Sequence, residues 1–567
     1  MPRKERIMNY WKIIAVSGLM LTASIASNAQ ACDSIDAQSV ERIIANIRVL
    51  ASDELGGREP GTPGMELAQR YITMQMRSKG IQPMGEEGYF QAFTYMAPVT
   101  IEAAALEMAG KPQDSKDFYP TSYSVAEASV SGLLVDVGFG ISAPELAYDD
   151  YAGLKKKQLS NTVYVMNIGS PDGIHPHSKY IAHHSLNERL ALAQEHGAAA
   201  VLLVDPENAT DAPSVQFKGM GQVQIPVFFV QGWTGEVFDW VKKPTATLMV
   251  RMHENEVTAK NIIGYLDRGA AKTVTIGAHY DHLGMGSEGS RHVGPPAVHN
   301  GADDNASGVA GMLEFAAKIT DPAQDEPYNY LFMAFSAEEK GLLGSKHFVE
   351  HPTFPLEDIE FMINLDMIGH MENRSFTING VGTSPQWLSN IEEVACDSFS
   401  YTTTESGIGP SDHTSFYLQK IPAIHLFTGA HEHYHKPSDD VGIINPEGIA
   451  YIVNFMQNLV GAMADDTIAF QETKAEESRK APKFSVTLGV MPDYSFSGPG
   501  MRIDGVIDDR PAQAAGMLKG DVVKQLGDIR IDGMQGYMRA LAAFKKGDRV
   551  KATIDRNGRE LELEVQF

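Results

Sequence analysis

Between residues 261 and 464 continuous apolar runs alternate with helical patterns. Residues 274–278, 328–335, 361–366 and 421–427 are apolar at nearly every position. A strand without polar alternation needs cover on both faces, which is the mark of a mostly parallel sheet. Residues 307–318, 341–350, 386–396 and 446–459 carry the helical period between those runs. The predicted class is therefore α/β, a mostly parallel sheet flanked by helices.

Each run ends in carboxylates or imidazoles. His279, Tyr280, Asp281 and His282 follow the first; Asp303 and Asp304 stand just before a helix. Glu338 and Glu339 follow the second run, Asp366 closes the third, and His435 and Asp439 lie beyond the fourth. Open α/β sheets place their sites outside the carboxyl ends of the strands, so these five groups should share one edge. Singly, Asp303 or Asp304 would read as a helix cap, and the glutamates as a helix N-terminus. Together, like charges gathered so closely need a compensating cation. Imidazole and carboxylate without thiolate suit zinc or a neighbouring first-row ion better than magnesium. Two histidines and three carboxylates hold two ions if one carboxylate bridges, and such a pair activates water. One glutamate would then stay free as general base. Glu338 and Glu339 supply one of each, and the residues alone do not say which is which.

In order and spacing these residues resemble the co-catalytic zinc aminopeptidases related to vacuolar aminopeptidase Y and to the secreted bacterial leucyl aminopeptidases. The marks are Ala278-His279-Tyr280-Asp281-His282, Gly301-Ala302-Asp303-Asp304-Asn305-Ala306-Ser307-Gly308 and Ala337-Glu338-Glu339-Lys340-Gly341. Asn364-Leu365-Asp366-Met367-Ile368-Gly369 and Tyr434-His435-Lys436-Pro437-Ser438-Asp439 complete them. The resemblance covers residues 33–115 and 258–465 and implies the zinc exopeptidase fold with two Zn2+ ions per chain. It implies Asp303 as the bridging ligand, His279 and Asp366 completing one site, and Glu339 and His435 completing the other. Glu338 would be the general base. Asp281 would orient the His279 ring by a hydrogen bond, and Asp439 would support His435. Asp304 would sit beside the bridge at an unusual peptide. Ser411-Asp412-His413 resembles a family segment near the pocket, with His413 meeting substrate.

The rest of the chain divides around this unit. Residues 1–31 read as an export signal: a basic start, an apolar stretch, and Ala29-Gln30-Ala31 as cleavage site. Residues 120–255 are β-rich with one helix and look like an inserted protease-associated domain, on residues 197–205 and Val223-Gln224-Ile225-Pro226-Val227-Phe228-Phe229. Its His175, His177 and His183 lie in a Gly- and Pro-containing loop and lack a placed carboxylate partner. Residues 466–483 read as a charged linker. Residues 484–567 resemble a PDZ domain of the bacterial protease type. Leu488-Gly489-Val490 looks like its carboxylate loop and residues 510–521 like its most specific segment. Strand addition would let it grip an extended peptide.

The implied activity is hydrolysis of N-terminal peptide bonds by a metal-activated water, on peptides or proteins with free N-termini. Carboxypeptidase, dipeptidase and glutaminyl cyclase chemistry use related frames and are the alternatives, with a non-catalytic peptide-binding protein as a third class. The 72 acidic against 47 basic residues give a formal charge of -25, a field that repels nucleic acid. Beyond the signal no run is long and apolar enough for a transmembrane helix. The expected location is the periplasm or outside the cell. Cys32 would be the acceptor if the protein were an anchored lipoprotein. Cys32 and Cys396 are the two cysteines, so one bridge is the most they can form.

Overall fold

The computed structural model describes residues 35–567 except 175–177, 207–211, 287–288, 321–325, 397, 465, 474–485, 493–499, 507–509, 532–535, 538–539, 542 and 557. The signal segment, Cys32 and its pairing, and His175 and His177 lie outside the described residues. The chain divides into two compact units, one of residues 1–93 with 258–567 and one of residues 94–257.

In the first unit, helices α1 (Ala37–Leu50) and α2 (Pro63–Ser78) come first. Thr62 caps α2 by accepting the Met65 N–H through its hydroxyl, with Pro63 at the first helical position, where a missing N–H costs nothing. Then follow β1 (Thr245–Leu266, which belongs to this unit from residue 258 onward), β2 (Thr273–His279), α3 (Gly308–Ile319), β3 (Asn329–Phe335), α4 (Leu343–Glu350) and β4 (Ile359–Leu365). β5 (Ser375–Asn379), α5 (Trp387–Val394), β6 (Ser400–Thr404), α6 (His413–Leu418), β7 (Ala423–Phe427) and α7 (Pro446–Met463) complete it. The strand order is β6-β5-β7-β4-β2-β3-β1. β2 runs parallel to β3 and β4, and β4 parallel to β7; residues 262–266 of β1 pair antiparallel with β3, and β5 antiparallel with β7.

The apolar runs behave as strands covered on both faces. Along β3, Tyr330, Phe332 and Ala334 enter one core, under α1, α3 and α7. Leu331, Met333 and Phe335 enter the other, with Phe348 of α4 and Phe416 of α6. Alternate side chains of one strand thus point to opposite layers. The Gly- and Pro-rich segment before α2 forms a short turn, Asp53–Arg58, with Gly56 and Gly57 left-handed. A side chain at Gly57 would collide with the carbonyls of Gly284 and His299, so only glycine allows that approach. Residues 466–473, at the start of the expected linker, are instead held in place. The Tyr417 hydroxyl meets the Thr473 amide at 3.1 Å and hydroxyl at 2.9 Å, and Asn390 donates to Asp466 at 2.7 Å. The C-terminal region has mostly antiparallel strands, including Met501–Val506, Val522–Leu526, Arg549–Arg556 and Arg559–Gln566, around its own core of Leu488, Ile503, Val523, Leu526 and Ile554.

The second unit is β-rich. Glu127–Asp136, Thr162–Asn167, Ala198–Val204 and Val227–Val230 run parallel to one another, with Phe118–Pro120 antiparallel at the edge. Helix Leu186–Glu195, capped by Ser185, packs on Ala198–Val204. Buried Arg189 donates to the carbonyls of Phe139, Asn167, Ile168 and Gly169, satisfying a cluster of loop acceptors at once.

Candidate metal centre

The strands β2, β3, β4 and β7 end on one edge, and the chain after each turns into one buried pocket. β2 ends on His279; Glu338 and Glu339 follow β3 after Ala337, at a positive φ of 57°; Asp366 follows β4. His431, His435 and Asp439 come from the loop beyond β7, and Asp303 and Asp304 from the distorted turn Ala302–Ser307 that starts α3. The peptide between Asp304 and Asn305 is cis.

Two clusters form, and Asp304 belongs to both: His279 with Asp304 and Asp366, and His282 with Asp304 and Glu339. The two Asp304 oxygens divide between them. Oδ1 lies 3.3 Å from His279 Nε2, which is also 3.3 Å from Asp366 Oδ1. Oδ2 lies 3.3 Å from His435 Nε2 and 3.9 Å from His282 Nδ1. Glu339 completes that side, 2.7 Å from His282 and 3.2 Å from His435. Glu338 stands slightly apart, 4.0 Å from His279 Nε2.

Asp303 is therefore not the shared carboxylate. Its side chain turns away, accepting the Gly369 N–H and lying 3.0 Å from His431 Nε2. Asp439 does not support His435 either. Its carboxylate accepts the N–H groups of Asp303 and Asp304 at 2.8 and 3.0 Å, while His435 Nδ1 lies 2.8 Å from the Gly289 carbonyl. Asp281 acts mainly on the backbone. It accepts the N–H groups of Glu338 and Glu339 at 3.1 and 3.4 Å, and its carboxylate is 3.8 Å from the His279 ring, whose Nδ1 lies nearer the Asp281 carbonyl at 3.2 Å. Asp366 receives the Ser411 hydroxyl at 2.6 Å. His413 is buried beside the His425 ring, with neither nitrogen hydrogen-bonded among the described residues. His282 and His431 were missed as site residues. His282 stands in the first motif, three positions after His279, and nothing in the sequence marks His431.

Burial pushes the Glu338 carboxyl well above its ordinary range, against the pull of His279 and with Asp366, Asp412 and Glu339 adding to it. Burial would raise Glu339 too, but His435 and His282 bring it down to about 2. Burial pushes Asp281 and Asp439 up to about 6. Arg58 lies beneath the site, fully buried, its own value lowered to about 10 by that burial. Its guanidinium donates to Tyr280 O at 2.8 Å, Asn300 O at 2.6 Å, Gly301 O at 2.9 Å and Leu50 O, tying the N-terminal turn to both loops that carry the clusters.

The residues fit a pair of cations. Nε2 of His282 and of His435 are buried without hydrogen-bond partners among the described residues. Four carboxylates crowd the imidazoles in a largely buried pocket, and charges so placed need counter-charge between them. The donor set has imidazole and carboxylate and no thiolate, as zinc accepts.

Residues 261–460 match the model of peptidase family M28, and residues 462–567 that of the PDZ domain. The aminopeptidase YwaD of Bacillus subtilis is 30% identical over 278 residues; the match spans 46% of this chain and 56% of that protein's length. An aminopeptidase of Pseudomonas aeruginosa is 22% identical over 488 residues, 78% of this chain and 84% of that protein. Among solved structures, an aminopeptidase from Aneurinibacillus sp. strain AM-1 aligns with a TM-score of 0.46 and 21% identity, covering 78% of this chain and 97% of that one. The chain thus carries a peptidase domain of family M28, with a paired metal-binding site, and a C-terminal PDZ domain.

Proposed function

We propose that this protein is a zinc-dependent aminopeptidase that hydrolyses N-terminal peptide bonds. The observation that carries the reading is the division of Asp304, one oxygen toward each cluster. Relatives named as aminopeptidases support it. His279, Asp304 and Asp366 would hold one ion, and Asp304, Glu339 and His435 the other, with His282 adjoining. When bound, the pair would supply Lewis-acid polarisation and an activated water.

The remaining work falls to Glu338. It is the carboxylate of the pocket outside both clusters, 4.0 Å from His279 Nε2. It takes a proton from the attacking water and returns it to the leaving amine. Asp281, through the Glu338 and Glu339 amides, fixes the backbone that separates base from ligand. The acidic pocket attracts the substrate's α-ammonium group.

Residues 120–255, which lie within the unit of residues 94–257, we read as the protease-associated domain, shaping access without catalysis. The PDZ domain would bind an extended peptide through the Leu488-Gly489-Val490 loop, and the protein would act after export. The test is a digest of free and N-acetylated leucyl peptides with zinc measured on the same sample. Cleavage of the free peptides alone, at two zinc per chain, is expected. Release of C-terminal residues, or cyclisation of N-terminal glutamine without hydrolysis, would replace the reading with carboxypeptidase or glutaminyl cyclase.

A further inference from the structure

Among the described residues, Arg291 is a cation without a paired carboxylate beside this centre. Its backbone N–H donates to the His435 carbonyl at 2.9 Å, and its guanidinium carbon lies 4.6 Å from the centre of the Tyr434 ring. That ring stacks on His435 at 3.8 Å and 29°, and His435 Nε2 lies 3.2 Å from Glu339 and 3.3 Å from Asp304. The guanidinium therefore stands one aromatic ring away from the metal ligands. Its Nη1 is buried and, among the described residues, has neither a hydrogen-bond partner nor a paired carboxylate.

The contact with Tyr434 occupies the face of the guanidinium, and on its edge the buried Nη1 is left without an acceptor among the described residues. A buried N–H without an acceptor is costly, and the edge of a guanidinium matches a planar carboxylate. The buried cations near the centre are already engaged. Arg58 donates to four carbonyls, and Lys340 lies 3.9 Å from Glu59.

We propose that Arg291 receives a carboxylate of the substrate, on the leaving-group side of the scissile bond. The inference rests on the aminopeptidase reading and names its substrate class. The acidic clusters would take the substrate's ammonium end, and Arg291 would take an anion displaced from it along the chain. The carboxylate has two sources: the C-terminus of a dipeptide, or an acidic side chain just after the scissile bond.

The zinc-loaded full-length enzyme should be assayed on Leu-Gly against Leu-Gly-amide, and on Leu-Asp-amide against Leu-Asn-amide. In at least one pair the carboxylate member should have a KM about tenfold lower, the scale of one charge-assisted hydrogen bond. The pair that shows it identifies the source. Arg291→Gln should bring that ratio to about one by raising KM for the carboxylate member alone; Arg291→Lys, which keeps the charge without the fork, should restore part of it. Equal KM values within both pairs in the wild type overturn the inference, and so does a ratio that survives Arg291→Gln. If Arg291→Gln loses zinc or its melting transition, the lysine variant carries the test. Hydrolysis of all four substrates without discrimination leaves the aminopeptidase reading standing and sinks this one. Hydrolysis of none sinks both.

Discussion

Asp439 holds Asp304 by the backbone: one carboxylate oxygen accepts the Asp304 N–H at 3.0 Å and leaves the Asp304 side chain for the imidazoles on either side. The other oxygen accepts the Asp303 N–H, so the turn is pinned at two successive residues. In Asp439→Asn one acceptor becomes an NH2 group facing an N–H. Such changes behind a metal ligand cost about 10–100-fold in metal affinity, and this is the loss expected in a chelator competition. Asp304→Asn should remove the shared ligand and take zinc content well below two per chain. Asp303→Asn should keep most of the zinc, because that carboxylate faces Gly369 and His431. Equal zinc loss from the Asp303 and Asp304 variants would contradict the assignment of Asp304 as the shared carboxylate.

Glu338 and Glu339 are neighbours in sequence with different surroundings. Glu339 touches His282 and His435, whereas Glu338 approaches the clusters only at 4.0 Å from His279. Glu338→Gln preserves shape and removes the proton acceptor. Turnover should fall about 10²–10⁴-fold, with KM and two bound zinc ions retained. Glu339→Gln should lose zinc instead. A Glu338→Gln enzyme that turned over normally would show that the base lies elsewhere.

Arg58 carries no ligand atom, yet it ties together the backbone around the site. Arg58→Met would leave the carbonyls of Leu50, Tyr280, Asn300 and Gly301 in a buried pocket without their donor. Leaving buried acceptors without a donor costs about 1–3 kcal/mol for each group, so a loss of about 3–5 kcal/mol is expected for the set. At about 2–4 °C per kcal/mol for a domain of this size, the melting transition should drop by roughly 10 °C. Arg58→Lys cannot reach four acceptors and should recover only a small part. A shift below about 2 °C in the methionine variant would mean that water replaces the guanidinium.

The strands that position the site were legible because their chemistry is extreme. β2, β3, β4 and β7 are buried on both faces, so an uninterrupted apolar run is what burial demands, and the run ends located the clusters. β5 and β6 were missed. They are five residues each, Ser- and Thr-containing and partly exposed, so neither period stood out. Between Asp303 and Asp304 the sequence offers two identical side chains one position apart. Which of them enters the pocket depends on the Ala302–Ser307 turn and on Asp439, which lies 135 residues away from Asp304. Arg58 stood in a Gly- and Pro-rich stretch with no periodicity, and its four acceptors come from three separate stretches of the chain. His282 was quoted within its motif, but its closeness to Glu339 depends on two strand ends meeting.

Metal removal should cost stability as well as activity. The pocket holds Asp304, Glu338, Glu339 and Asp366, all buried or nearly so, and among the described residues the buried Nε2 of His282 has no hydrogen-bond partner while that of His435 faces only Asp304 and Glu339. Without cations, the carboxylates repel and the imidazoles must take protons to offset them. A ligand bound only by the folded state adds about 4 kcal/mol at a thousandfold excess over its dissociation constant. Dialysis against a chelator should therefore lower the melting transition by about 8–16 °C, and added zinc should restore it. Asp304→Asn should melt at nearly the same temperature with and without chelator, since it has little metal to lose. A chelator response in that variant as large as in the wild type would place the stabilising metal somewhere other than this pocket.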